Sequence, residues 1–144
     1  MNLFVLLQKH PSDTRVGLAV SYILAEVLAS TCDPTFVFPQ ENRKIKLLRR
    51  YRQRLGRSWY DLQDPPTLGQ GKNILLAIGH GPNFFLSLFS LGSLLSRFDL
   101  RIGYLLDGFD PQHLDRAVIP YLDHLFVITA EMTDRLNKQV PTHF

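Results

Sequence analysis

Short apolar runs alternating with helical patterns predict a three-layer α/β fold of Rossmann-like type, with a parallel sheet of five strands or slightly more. Three observations carry the prediction. The runs at 3–7 (LFVLL), 73–78 (NILLAI) and 124–128 (HLFVI) are nearly unbroken in apolar residues, as strands covered on both faces are. Between the runs, apolar residues recur at helical spacing. The chain has 144 residues, 45% hydrophobic and 20% charged, which suits one domain spanning 1–144 with a core of its own.

The elements follow in order. After strand 3–7, the spacing of Val16, Ala19, Val20, Ile23, Leu24, Val27 and Leu28 predicts a helix over 14–30, with Ser12 or Asp13 as its N-cap. Residues 35–38 (TFVF) make a short strand that Pro39 stops. A basic helix occupies about 41–55, and a loop over 56–72 leads to strand 73–78. An apolar helix over 84–98 precedes strand 101–106 (RIGYLL). Pro111 opens a helix over 111–122, the favoured place for proline. Strand 124–128 and a last helix over 130–138 complete the pattern.

Composition narrows the setting. Cys32 is the single cysteine, so no internal disulfide and no cysteine-built metal centre can form, and a reducing cytoplasmic compartment is expected. The opening MNLFVLLQKH reads as a first strand, because its apolar run is short and no basic residues precede it. No apolar stretch approaches the roughly 20 residues that span a bilayer. The net charge of +3 is unevenly placed: segment 43–57 holds eight of the sixteen Lys and Arg residues and no acid.

In a parallel α/β sheet, ligands gather at the carboxyl ends of the strands. That singles out the turns after strands at 10–14, 79–83, 107–110 and 129–131. Gly79-His80-Gly81-Pro82-Asn83 joins a strand end to a helix start. Its glycines permit close backbone approach, and helix-opening amides receive an oxyanion or hydroxyl. The same residues also make a plain strand-to-helix turn, and a buried His80 has a structural as well as a catalytic reading. The motif is neither GxGxxG nor a P-loop. Asp107 and Asp110 follow the next strand beside Gly108. Asp110 precedes Pro111 and is read first as a helix cap, whereas Asp107 has no such structural task and is the candidate base or hydroxyl-binding residue. Asp13 and Thr14 are read first as helix-start residues and second as substrate contacts, and Thr129 and Glu131 as a cap and a first-turn acid. Metal ligation is not expected, since no His/Asp cluster has ligand spacing.

The basic helix is amphipathic, with Ile45, Leu48, Arg52 and Leu55 on one stripe. Its cations, Arg49, Arg50, Arg52 and Arg54 among them, suit a solvated face or an anionic membrane surface. Nucleic-acid phosphates rank below both, because no stacking platform or nucleic-acid motif accompanies the charge.

The stretches IGYLLDGFD (102–110) and DHLFVITAE (123–131) resemble the N-terminal half of a GT-B glycosyltransferase, where a late strand ends in a small or polar residue and the next helix opens with an acid. VPTHF (140–144) resembles the crossing to that family's second domain. The resemblance runs through nearly the whole chain in order of elements. It implies an acceptor-binding half that has no cofactor of its own and is inactive without a partner: the nucleotide-sugar donor comes with a second, donor-binding domain or chain, and the acidic donor-sugar motif of that domain is not found here. It further implies Asp107 and His80 as catalytic candidates, although the family often carries a histidine near the position of Asp107. Gly79, Gly81, Asn83, Asp110, Asp13 and Thr14 would be substrate contacts, and the basic helix a peripheral membrane contact for reaching lipid-linked acceptors. The rival reading is a non-catalytic flavodoxin- or receiver-like module that holds a phosphate-bearing ligand in the Gly-His-Gly-Pro-Asn turn. Asp13 fits part of a receiver's acidic cluster, but His80 and Asn83 do not replace its phospho-accepting aspartate.

Overall fold

The computed structural model of the chain describes residues 1–7, 19–41, 60–62, 64–80, 86–106 and 119–144. Its centre is a six-stranded, wholly parallel sheet. The strands are β1 (Asn2–Leu7), β2 (Thr35–Val37), β5 (Asn73–Gly79), β6 (Leu100–Leu105), β7 (His124–Phe126) and β8 (Thr142–His143), in spatial order β2-β1-β5-β6-β7-β8. A separate antiparallel pair joins β3 (Gln40–Glu41) to β4 (Tyr60–Asp61). Helix α1 spans Ala19–Cys32 and helix α2 spans Ala130–Leu136.

The near-continuous apolar runs form the centre of the sheet, where β1 pairs with β5 over six residues and β5 with β6 over six. Side chains alternate across the sheet and so feed two cores. Val5, Leu7 and Ile78 meet Ala25 of α1 on one face, with Leu24 and Leu28 packed against them. Phe4, Leu6, Leu75, Ala77, Leu105 and Leu125 form the other face, under Leu88, Leu91, Leu95, Ile119, Met132 and Leu136. These are the three layers of a Rossmann-like α/β fold. The chain steps one way from β1 to β2 and the other way from β5 through β8, and α1 and residues 86–97 pack on opposite faces, as the right-handed rule for such crossovers demands.

Several boundaries differ from expectation. Residues 86–97 form 3₁₀ turns interrupted at Gly92, where φ is 54° and ψ is −128°. A smooth α-helix over 84–98 is thus replaced by two short pieces on either side of a glycine-only conformation. Within the stretch 140–144, a further short strand not expected from the sequence, β8, joins the sheet: Leu125 and Phe126 pair with Thr142 and His143. Glu41, placed by sequence at the start of the basic helix, and Tyr60 and Asp61, placed in the loop after it, join Gln40 in the antiparallel pair. Helix α1 ends where Asp33 turns left-handed at φ 48° ahead of Pro34, a helix stop that an aspartate tolerates. The basic helix, with Arg49, Arg50, Arg52 and Arg54, lies outside the described residues, as does most of 111–122.

Candidate functional site

All six strands run the same way, so their carboxyl ends share one edge. Leu7 pairs with Ile78, Leu6 with Val37, and Gly79 with Leu105. The Leu106 amide then donates to the Gly79 carbonyl at 2.9 Å, which locks the exits of β5 and β6 side by side. The chain therefore leaves toward His80 from one strand and toward residue 107 from its neighbour at the same edge. The strand order reverses between β1 and β5, making this the crevice where doubly wound sheets receive ligands.

His80 stands at that reversal. It is the second residue after Ile78 and continues the row Leu76, Ile78 on the α1 face of the sheet. Its Nε2 lies 2.7 Å from Oγ of Ser21, one helical turn before Ala25 on the inward side of α1. Ser21 is only 5% exposed, whereas Ile23 is 61% and Val27 55% exposed. The apolar stripe read from sequence includes Ile23 and Val27 with Leu24 and Leu28; the helix instead turns Ser21, Leu24, Ala25 and Leu28 inward. Burying Val or Ile is worth roughly 1.5–3 kcal/mol each, so the helix forgoes apolar burial while sequestering a hydroxyl against the imidazole. Hydropathy conceals Ser21, whose partner is 59 residues away in sequence; its one signal is a polar residue interrupting an inward stripe.

Of the residues picked out by sequence, the structure describes Gly79, buried at the end of β5, and His80 beside it. Asp107, Gly81, Asn83, Asp110, Asp13 and Thr14 lie outside the described residues. Thr129 caps α2: its backbone is extended (φ −137°, ψ 141°), and Oγ1 accepts from the Met132 amide at 3.3 Å. Glu131 sits in the first turn and pairs with Arg135 at 2.8 Å. Both therefore have structural employment.

The opposite edge of the sheet holds a polar network with a structural role. Asn2 Nδ2 donates to Asn73 Oδ1 and to the Gln70 carbonyl, and Asn73 Nδ2 donates to the carbonyls of Gly69 and Gly71. Asp99 Oδ2 accepts from the Asn73 amide. Asp123 takes a two-pronged contact from the Arg101 guanidinium, at 3.0 Å from Nε and 2.8 Å from Nη2, and accepts from the Arg101 amide as well. Hydrogen bonding to Arg101 holds the Asp123 carboxyl below the usual carboxylate range, against partial burial. These groups tie strand starts together, while the strand ends carry the candidate chemistry.

Among the described residues no group of three or more His, Cys, Asp or Glu is arranged to hold a metal ion, and no helix is long and apolar enough to cross a membrane. No family model matches the chain, and no curated protein or solved structure matches it either.

Proposed function

We propose that this chain is the acceptor-binding half of a glycosyltransferase, with its site at the carboxyl edge between β1, β5 and β6. The observation that carries the reading is His80, half-buried at the topological reversal and hydrogen-bonded to a sequestered serine. An imidazole there has the chemistry of a general base for an acceptor hydroxyl. Asp107, the second residue after Leu105 of the neighbouring strand, is the other candidate for that task. The donor is a nucleotide-sugar supplied by a second domain or chain, and segment 43–57 brings the domain to an anionic membrane surface bearing the acceptor. The capped helix opening with Glu131 after β7 agrees with the resemblance of 123–131 to the same half.

Titration of the ¹⁵N-labelled chain with short-chain alkyl glycosides tests the acceptor role. Binding should move the amides of Gly79, His80 and Ser21, and His80→Ala should abolish the shifts. With a donor-binding domain and nucleotide-sugar supplied in trans, His80→Ala should lower transfer by about 10²-fold or more. No shift at this edge with any glycoside, together with unchanged transfer in the His80 and Asp107 variants, would end the assignment.

A second reading has its own support in the strand order. Numbered within the main sheet, β2-β1-β5-β6-β7-β8 is 2-1-3-4-5-6, the 2-1-3-4-5 order of flavodoxin-like domains with β8 added at one edge; such domains bind at the crevice that here lies between β1 and β5. Under that reading the edge holds a phosphate-bearing ligand without chemistry. Titration with flavin mononucleotide and with inorganic phosphate separates the two: saturable binding of either at Gly79 and His80, with none of the glycosides, selects the binding module.

A further inference from the structure

We infer that Ser21 is a positioning residue of His80, keeping the imidazole at the carboxyl edge as it takes up and releases a proton; the use of that proton transfer rests on the acceptor-domain reading above. Three observations converge on the pair. The Oγ–Nε2 separation is 2.7 Å, and Ser21 is 5% exposed, so its hydroxyl is nearly withdrawn from water. Helix α1 presents Ser21 inward while Ile23 and Val27 face out, so the hydroxyl occupies a place on the buried stripe. The His80 backbone is anchored from the other side, because the Gly79 carbonyl accepts the Leu106 amide.

The chemistry follows from what a hydroxyl offers. Serine both donates and accepts, whereas a neutral imidazole nitrogen does one or the other and an imidazolium nitrogen only donates. By rotating its hydroxyl hydrogen, Ser21 keeps the bond to Nε2 in either charge state. A flip of the ring would place a carbon against the buried hydroxyl and forfeit the bond, so one ring orientation is favoured. Alanine offers no partner in either state, and threonine offers the same one. The separation between β1 and β5 is also spanned, since α1 follows β1 and His80 follows β5. Ser21 therefore holds the base to the strand-order reversal.

NMR of the His80 ring at acid and alkaline pH, in the native chain and in Ser21→Ala and Ser21→Thr, tests this without any substrate. The native chain should show one ring orientation in both charge states, read from the nuclear Overhauser contacts of the Cδ2 and Cε1 protons. Ser21→Ala should give a mixture of the two flipped orientations, with Ser21→Thr restoring the single one. An unchanged single orientation in Ser21→Ala would overturn the inference, whatever the chain's activity. Should Ser21→Ala fail to fold, Ser21→Cys, nearly the same size and a weak hydrogen-bonding group, carries the same comparison. In the trans transfer assay, Ser21→Ala should lower kcat about tenfold with KM little changed and shift the pH profile. If the native chain transfers no sugar while the ring-orientation result holds, the acceptor reading falls and the positioning role stands.

Discussion

At Gly92 the backbone takes φ 54° and ψ −128°, and an added Cβ would meet nothing within 4 Å. The constraint is thus conformational and not steric crowding by neighbours. Gly92→Ala should cost about 1–3 kcal/mol, measured as a lowered urea midpoint, because only glycine enters this region freely. Thr129 gives a second expectation for a single residue. Its hydroxyl satisfies the Met132 amide, so Thr129→Ala should cost about 1 kcal/mol while Thr129→Ser costs much less. The exposed Glu131–Arg135 pair one turn further on is worth only about 0.3–0.5 kcal/mol and should not register beside the cap. Buried Ser87 is a residue of another kind: its hydroxyl has no hydrogen-bond partner among the described residues, at the start of the segment that follows the Gly-His-Gly-Pro-Asn turn.

Among the elements, α1 is the informative one. Its outward Ile23 and Val27 should tolerate glutamine with a change within about 0.5 kcal/mol, whereas Leu24→Gln and Leu28→Gln, on the packed side, should destabilise clearly. An opposite ranking in denaturation midpoints would mean that the helix buries the stripe that hydropathy alone favours. The joint between β6 and β7 rests on Arg101 and Asp123, where the Asp123 amide also donates to the Arg101 carbonyl and the Arg101 amide to the Asp123 carboxylate. The Asp123 carboxyl is held low chiefly by its hydrogen bond to Arg101, so its contribution to stability is present in full above the unfolded value near pH 4. It is lost as pH falls through the depressed native value. Asp123→Asn should therefore flatten the acid limb of the stability–pH curve below about pH 4 and lower stability at neutral pH. An acid limb identical to that of the native chain would refute this.

Over the whole molecule, the sheet separates its tasks by edge: polar ties at the strand starts, candidate chemistry at the strand ends. The parallel sheet beneath that division is legible in the sequence, whereas the polar ties are not: unbroken apolar runs such as LFVLL and NILLAI demand cover on both faces and so a parallel sheet with helices around it. A parallel sheet in turn requires 79–83 and 107–110 to leave from one edge, and the Gly79–Leu106 bond bears out that neighbourhood up to the last described residue after β6. Short pieces are less legible. The pairs β3–β4 and β7–β8 involve two residues on each strand, too few for a periodic signal: β8 adds to the open edge of β7, and β3 pairs with β4 in a separate sheet. Gly92 breaks a helix whose apolar spacing is continuous, since hydropathy does not report backbone angles. Ser21 escapes notice for a related reason: a hydroxyl acquires its meaning from the imidazole it meets across the fold. Local hydropathy and turn chemistry suffice for the alternation of elements, the parallel core and the edge at which His80 emerges, so the chain's linear order already contains them. Which side of α1 faces inward, and which group holds the imidazole, are settled by folding alone, because they depend on contacts between residues 59 positions apart that no local pattern encodes.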